Sequence, residues 1–443
     1  MHISIGKKAA FTGGQVAGQI FRDVPSILLL FYLTQVGGIS PALAGMAVFI
    51  PKAILGSISD LVIGLTSDRL AARFPRRNWL LVGAICAPFV FVGIFAMPDG
   101  VAWLRIAYVM AAMTLYMIVF SLISVPYLAQ YSEVSETSME RSDLMAWRHG
   151  YIGIGLLVGS ALAPAMIHAL GSDRRAYLIT AAMLGLVCAA SLLIAYLASR
   201  RIAIRKTVAS AAQALSLRSI SDCFADRRFI LLLAVFVSHQ VAAGMTGASM
   251  AFFLTYNLQM PDAIAQLGII IMVAGFAVII ASPLWIYLSR RFGNRRCYQG
   301  AVIAHGLVMI VWGMSDENTP HVYLYFFSAL IGLVNSGWGI MLLAFFSDVV
   351  SARNQEGREL GGTMAAIWTL GDKFGLALGG ALLAGSLLSI SGFTPHEAAD
   401  AAALRGIALS FGFLPAMIHL AASFAFWRWV VLPGQAGAVP ARG

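Results

Sequence analysis

Residues 64–77 read GLTSDRLAARFPRR, a short and strongly basic stretch that lies between two apolar runs. A shorter version, RFGNRR, occurs at residues 291–296, again directly after a long apolar run. Each stretch follows the second long apolar segment in its half of the chain, so both the composition and the position repeat. This repetition predicts two homologous halves, each of which has a basic turn after its second membrane span.

The composition is that of an integral membrane protein. Of the 443 residues, 59% are hydrophobic and 11% are charged, and the mean hydropathy is +0.82. Soluble domains carry about 25% charged residues, so a soluble fold is excluded. A membrane-spanning helix needs about 20 apolar residues, and the pattern predicts twelve spans. They lie near residues 9–36, 41–67, 78–97, 102–128, 146–171, 176–199, 229–257, 263–289, 299–315, 320–347, 362–391 and 404–431.

Basic residues are concentrated in alternate loops. If the N-terminus is cytoplasmic, the external loops hold little beyond Arg174, Arg175 and Arg405, and the other basic loops are cytoplasmic. This asymmetry predicts a multi-pass protein of the bacterial plasma membrane with both termini in the cytoplasm. The net charge of +10 is then a topology signal, and no nucleic-acid partner is predicted.

The stretch at 64–77 resembles the loop motif of the major facilitator superfamily, Gly-x-x-x-Asp-Arg-x-x-x-Arg-x-x-Arg-Arg. The resemblance implies an all-α membrane protein in which twelve transmembrane helices form two pseudo-symmetric six-helix bundles around a central cavity. The bundles would comprise residues 1–199 and 229–443, and residues 200–228 would form a cytoplasmic linker.

The same motif implies a cytoplasmic gate. Gly64 would let helices approach closely, while Asp68 and Arg69, together with Arg73, would form a charge relay that latches the cytoplasmic side in one state. The alternative is a solvated loop that only sets the topology.

Six ionisable residues lie well inside the predicted spans. A charge at the centre of a membrane helix costs about 2.5–3.5 kcal/mol on insertion scales, so these side chains must face a cavity, water or one another. Three are cationic and three are anionic: Arg22, Asp23, Lys52, Asp60, Asp372 and Lys373. The alternative to a functional site is a set of ion pairs that only hold helices together.

Helical spacing places these residues on three polar stripes. The stripes consist of Gln19, Arg22, Asp23 and Ser26 on the first span, Lys52, Gly56 and Asp60 on the second, and Thr369, Asp372 and Lys373 on the eleventh. Because residues three, four and seven apart share a helix face, we expect the stripes to line a cavity in which Arg22 and Asp23 face Asp60 and Lys373. Ser124 and Trp338 are further candidate substrate contacts, although both residue types more often serve packing.

Longer stretches resemble the glycoside–pentoside–hexuronide:cation symporters, the melibiose permease group. They are FYLTQVGGISPALAG (31–45), SDLVIGLTSDR (59–69), SVPYLAQYSEVSETSMERSDLMAWR (124–148) and SDVVSARNQEGRELGGTMAAIWTLGDKFGLALGG (347–380). The resemblance covers most of the chain in order. It implies that Asp60 stands at the position of a coupling-cation carboxylate, and Lys373 at that of a lysine near the cation and the sugar.

Three positions depart from this family pattern. Gln19 and Ser124 stand where sugar-binding members carry carboxylates, and Gly56 stands where sodium-using members have a second cation-binding acid. Sodium prefers several oxygen ligands, so a site that lacks one carboxylate and adjoins Lys52 is poor for it. A lone Asp60 is better suited to load and release a proton.

The sequence therefore predicts a secondary active transporter, a proton-coupled symporter of a small polar or anionic solute such as a glycoside or uronide. Arg22 favours a carboxylate, sulfate or phosphate on the solute, because a guanidinium fork matches such groups. Asp60 would carry the proton, and Lys52 and Lys373 would tune it. The other candidate solute contacts are Gln19, Asp23, Ser124, Trp338, Thr369 and again Lys373.

Other classes of protein remain as alternatives. One is a transporter or exporter of a lysolipid-like amphiphile, and another is a membrane receptor or assembly factor that retains the fold. No nucleotide-binding loop, nucleophile–base pair or metal-ligand cluster occurs in the sequence, so we predict neither an enzyme nor a cofactor. The expected partners are the solute and the lipid bilayer, and the protein is expected to act as a monomer.

Overall fold

The computed structural model describes residues 4–70, 73–134, 138–202, 217–355, 360–395, 397 and 399–429. Within these ranges, twelve long helices succeed one another along the chain. They are α1 Ile5–Gln35, α2 Pro41–Ser67, α3 Arg77–Phe95, α4 Ala102–Tyr131, α5 Asp143–Ala169, α6 Arg174–Arg200, α7 Arg227–Asn257, α8 Ala263–Phe292, α9 Asn294–Gly313, α10 His321–Arg353, α11 Gly361–Ile390 and α12 Ala401–Trp429. The helical backbone of α2 continues to Leu70 and that of α4 to Val134.

These helices confirm the predicted all-α membrane fold. Eleven of them are long and apolar enough to cross a membrane, and α9 adds a helix of 20 residues that begins with a polar turn. Because twelve spanning helices alternate in direction, both ends of the described chain lie on one side. We call this side the terminal face and the opposite side the far face.

Local sequence explains where several helices begin and end. Asp173, Asp226 and Asp400 each accept hydrogen bonds from backbone N–H groups in the first turn of α6, α7 and α12, which satisfies donors that have no partner within the helix. Gly293 ends α8 with φ +83°, a left-handed conformation that a residue without Cβ adopts without strain. The glycine in RFGNRR therefore makes the tight turn between α8 and α9.

The segment between α6 and α7 is only partly described. It contains a short helix, Leu217–Phe224, while residues 203–216 lie outside the described part of the chain. The predicted linker at 200–228 and the domain boundaries drawn from it stay predictions.

The two halves meet mainly along three pairs of helices, namely α1 with α7, α2 with α11, and α5 with α8, and α1 also contacts α11. Toward the far face the contact is close enough to leave no room for side chains. A methyl group added at Gly45 would collide with the carbonyl oxygen of Ala381, and one added at Gly268 would collide with that of Ala161. Glycine at these positions therefore lets backbone touch backbone across the interface.

Two hydrogen bonds strengthen this closure of the far face. The Tyr256 hydroxyl donates to Gln35 Oε1 at 2.6 Å, and the Ala42 amide donates to Ser389 Oγ at 2.9 Å. Both hydrogen bonds join residues of different halves. We call this set of contacts, together with the glycine contacts, the far-face seal.

In the described part of the chain, six helices contain a turn of π-helix, three in each half. These turns are Pro25–Leu29 in α1, Ile50–Leu55 in α2, Leu157–Leu162 in α5, Phe253–Asn257 in α7, Leu378–Leu383 in α11 and Leu409–Phe413 in α12. The first two begin at or next to a proline, which lacks the N–H that a regular α-helical ladder would use. Such turns occur frequently at functional sites, and two of them adjoin the charged residues described next.

Candidate functional site

A cavity lies at mid-depth between the halves. The walls are largely apolar and aromatic, but three cations reach them. The lining residues are Phe21, Arg22 and Pro25 of α1, Lys52 of α2, Met113, Met117 and Phe120 of α4, and Lys373 and Leu376 of α11.

The first ion pair at the cavity joins Asp60 of α2 to Lys373 of α11. The Lys373 Nζ donates to Asp60 Oδ2 at 2.5 Å, and the hydroxyl of Ser121 donates to the other carboxylate oxygen at 2.6 Å. The ammonium also lies 4.9 Å from the centre of the Phe120 ring, a cation–π distance. Both oxygens of the charged carboxylate thus have a donor, and the pair ties the two halves together.

The second ion pair joins Arg22 of α1 to Asp372 of α11, with 2.9 Å between Arg22 Nη2 and Asp372 Oδ1. Gln240 of α7 donates to the same carboxylate oxygen. Arg22 therefore lines the same cavity as Lys373, as expected, but its ion-pair partner is Asp372. Both pairs cross between the halves, so Asp372 and Lys373, adjacent in sequence, hold different partners on α1 and α2.

Asp23 and Gln19 point toward α5. The Gln19 amide donates to Asp23 Oδ2 at 2.8 Å, and the Ser160 hydroxyl approaches the same oxygen at 3.4 Å. Neither Asp23 nor Gln19 is among the residues that line the cavity. The stripe predicted on α1 is thus divided, because Arg22 and Asp23 lie about 100° apart around the helix and face different neighbours.

Lys52 lies in the π-helical turn of α2 and is 7% exposed. Its Nζ donates to Ser26 Oγ at 2.6 Å, and the Ser26 hydroxyl donates to the carbonyl oxygen of Arg22 at 2.7 Å. Among the described residues, no carboxylate forms an ion pair with Lys52.

Three predicted substrate contacts lie away from the cavity walls. The hydroxyl oxygen of Ser124 is buried and has no hydrogen-bond partner in the described structure. Thr369 is exposed and donates to the Ala365 carbonyl of its own helix at 3.0 Å. Trp338 is buried in the C-terminal bundle, where its Nε1 donates to His305 Nδ1 at 3.3 Å.

Trp338 belongs to a buried cluster that the sequence did not reveal, which we call the histidine cluster. His239 of α7 stacks on Trp338 with 4.7 Å between ring centroids. Its Nδ1 lies 2.5 Å from Nδ1 of His419 on α12, and its Nε2 lies 2.7 Å from the hydroxyl of Tyr298 on α9. All of these side chains are almost completely buried, so the cluster is a polar core inside the C-terminal bundle.

The predicted gate lies at the terminal face. A methyl group at Gly64 would lie 3.6 Å from Val125 of α4, an ordinary contact. Arg69 and Arg73 are exposed, while the side chain of Asp68 lies outside the described residues, so the latch stays a prediction.

Sequence reasoning also missed several partners of the charged residues. Gln240 and Ser121 complete the two ion pairs, and Met117 fills space beside Gly56, where a Cβ atom would lie 2.8 Å from the Met117 methyl carbon. Ser121 lies in an apolar run, and a single hydroxyl there carries no periodic signal. At the terminal face, Arg76 forms an ion pair with Glu133 at the end of α4.

Comparison with known proteins agrees with this architecture. Residues 10–431 match the family model described as MFS/sugar transport protein. An uncharacterized symporter of Bacillus subtilis is 25% identical over 94% of this chain and 89% of its own length. A candidate 2,3-dihydroxypropane-1-sulfonate exporter of Salmonella typhimurium is 23% identical over 92% of this chain and 88% of its own length.

A solved structure, that of a D-xylose–proton symporter, has the same fold. It superposes with a TM-score of 0.68 at 14% identity and covers 96% of this chain and 97% of its own. The family match spans nearly the whole chain and includes every helix that bears the cavity and its ion pairs. The chain is therefore a secondary transporter that belongs to the MFS/sugar transport family of the major facilitator superfamily.

Proposed function

We propose that the protein is a proton-coupled symporter of a small polar or anionic solute, which binds in the cavity at mid-depth. The observation that carries this proposal is the Asp60–Lys373 ion pair. It lies at the wall of the cavity, contains a titratable carboxylate and joins the two halves that must move apart in alternating access.

Protonation of Asp60 would release this tie between the halves. A proton that binds Asp60 Oδ2 neutralises the carboxylate, and it occupies the lone pair that accepts the hydrogen bond from Lys373. Lys373 keeps its own charge and becomes free to move with α11, while the Ser121 hydroxyl can still donate to Asp60 Oδ1. In this proposal, protonation of Asp60 loosens the contact between α2 and α11.

The closure of the far face supports a proton-released state. The far-face seal closes the far side of the cavity. With the termini in the cytoplasm, as the loop charges predict, a closed far face is what an inward-facing or occluded state requires. An ionised Asp60 paired with Lys373 is the form expected after the proton has left to the cytoplasm.

The surroundings of Gly56 favour a proton over sodium. A sodium site at Asp60 would need further oxygen ligands, and the position one turn away bears a glycine. The Met117 methyl carbon lies 2.8 Å from where a Cβ atom at Gly56 would stand. A thioether thus fills the space that a second carboxylate would occupy.

The test is accumulation of solutes in proteoliposomes under separate inward gradients of protons and of sodium. The panel contains D-xylose, glucuronate, 2,3-dihydroxypropane-1-sulfonate and a lysophospholipid. We expect the proton gradient to drive accumulation of a polar solute, and Asp60→Asn to abolish it. Asp99→Asn, which removes an exposed carboxylate outside the cavity, is the matched control and should retain accumulation.

Two outcomes would overturn the proposal. Accumulation that follows only the sodium gradient would show that the coupling ion is wrong. Movement of the lysophospholipid alone, with no dependence on either gradient, would support the amphiphile transporter instead.

A further inference from the structure

The three cations of the cavity differ in what neutralises them. Arg22 is held by Asp372 at 2.9 Å and Lys373 by Asp60 at 2.5 Å. Among the described residues, the neutral hydroxyl of Ser26 is the one hydrogen-bond partner of the Lys52 ammonium. In the part of the chain that the structure describes, Lys52 is thus the cavity cation that no carboxylate contacts, and its ammonium has three N–H donors of which Ser26 accepts one.

The surroundings of Lys52 make this unpaired charge costly. The side chain is 7% exposed and lies next to Arg22, another cation, which raises the local positive potential. Asp23 and Asp372 are close enough to interact with Lys52 electrostatically, but their oxygens accept hydrogen bonds from Gln19 and Arg22. A buried charge without a contacting counter-ion costs several kcal/mol, and an anion that enters the cavity would remove that cost.

We infer that Lys52 binds the anionic group of the transported solute, a carboxylate, sulfonate or phosphate; the inference rests on the proposed transport function. Arg22 then has a structural role as the partner of Asp372, and Lys373 has a role in proton coupling as the partner of Asp60. Lys52 lies eight residues before Asp60, which corresponds to about 12 Å along α2. The polar body of the solute therefore lies between Lys52 and the Asp60–Lys373 pair.

The test measures binding without transport, so that it does not depend on the coupling ion. The melting temperature of the purified protein in detergent is followed as solutes are titrated in matched pairs that differ in charge. The pairs are glucuronate with glucose, and 2,3-dihydroxypropane-1-sulfonate with glycerol. In the wild type, we expect at least one anion to stabilise the protein more than its neutral counterpart does.

Lys52→Gln should weaken binding of that anion by about tenfold or more, the effect of losing a hydrogen bond to a charged group. Lys52→Arg retains the charge and should restore binding in part. Lys7→Gln removes an exposed cation whose Nζ donates to the Arg201 carbonyl at the terminal face, and as the matched control it should bind the anion like the wild type.

The inference is wrong if Lys52→Gln binds the anion as tightly as the wild type. It is equally wrong if no anion in the panel stabilises the wild type more than its neutral partner. Accumulation of a neutral solute in the proteoliposome experiment would leave the transport function standing while this inference fails, so the two failures are distinguishable.

Discussion

The far-face seal predicts that one methyl group can shift the conformational equilibrium of the transporter. A Cβ atom at Gly268 of α8 would lie less than 3.0 Å from the carbonyl oxygen of Ala161 and 3.2 Å from its carbonyl carbon, whereas ordinary contacts begin at 3.4 Å. In Gly268→Ala the two helices must therefore separate by at least 0.4 Å, the difference between 3.4 Å and 3.0 Å. Because the contact joins the two halves, the strain falls on the state in which the far face is closed.

The size of the shift follows from the cost of overpacking. An extra methyl group in a well-packed contact costs about 1–3 kcal/mol. Since about 1.4 kcal/mol is a factor of ten in an equilibrium, the far-face-open population should rise roughly 5- to 140-fold.

The assay is the labelling rate of a cysteine placed behind the seal. Phe31 of α1 is 7% exposed and contacts Phe252 of α7 with 5.0 Å between ring centroids. Phe31→Cys should react slowly with a membrane-impermeant maleimide added at the far face, and much faster when combined with Gly268→Ala. The chain without Phe31→Cys provides the blank for the native cysteines, of which Cys188, Cys223 and Cys297 are buried.

Gly275 supplies the matched control on the same pair of helices. A Cβ atom there would lie 3.8 Å from Leu156 of α5, so Gly275→Ala should fit without strain. If Gly268→Ala and Gly275→Ala label at the same rate, the backbone contact does not hold the far face closed and the reasoning fails.

Three further predictions concern the interior. Asp372→Asn should slow solute uptake, because it leaves the Arg22 guanidinium without the carboxylate that contacts it. The double variant Asp372→Asn with Arg22→Gln should recover part of the uptake rate. A double variant no faster than Asp372→Asn alone would contradict this. His239→Ala should lower the melting temperature by several degrees, because two buried hydrogen bonds are lost at about 1–3 kcal/mol each. The affinity for the transported solute, measured by titration, should stay unchanged. An unaltered melting temperature would show that the histidine cluster is not stabilising. Gly56→Asp combined with Met117→Ala should make uptake respond to a sodium gradient, whereas Gly56→Asp alone should not, since the Met117 side chain still fills the space.

The fold and the set of charged residues could be predicted from the sequence because both depend on local patterns. Apolar length marks the spans, and it places α9 near 299–315 against an observed Asn294–Gly313 because the first turn of this helix is polar. A charge inside an apolar run is visible for the same reason. Arg22 and Lys373 therefore stand out from their immediate neighbours in the chain.

The partners of these charges could not be predicted, because they depend on how helices are rotated against one another. Adjacent residues on a helix point about 100° apart, and the sequence cannot tell whether Arg22 or Asp23 faces the other half. The histidine cluster is a stronger case. His239, His305 and His419 lie on three different helices, and nothing in the sequence indicates that the bundle brings them together.

The far-face seal has a consequence for how this transporter can diversify. Its closest contacts are made by main-chain atoms at Gly45 and Gly268. These atoms carry no titratable group and no net charge, so neither pH nor salt acts on the contacts directly. The cavity at mid-depth, in contrast, is lined by side chains, among them the charged groups of Lys52 and Arg22. Substitutions at the cavity can therefore change its lining without altering these main-chain contacts, whereas Gly45 and Gly268 are needed for the two halves to approach as closely as they do.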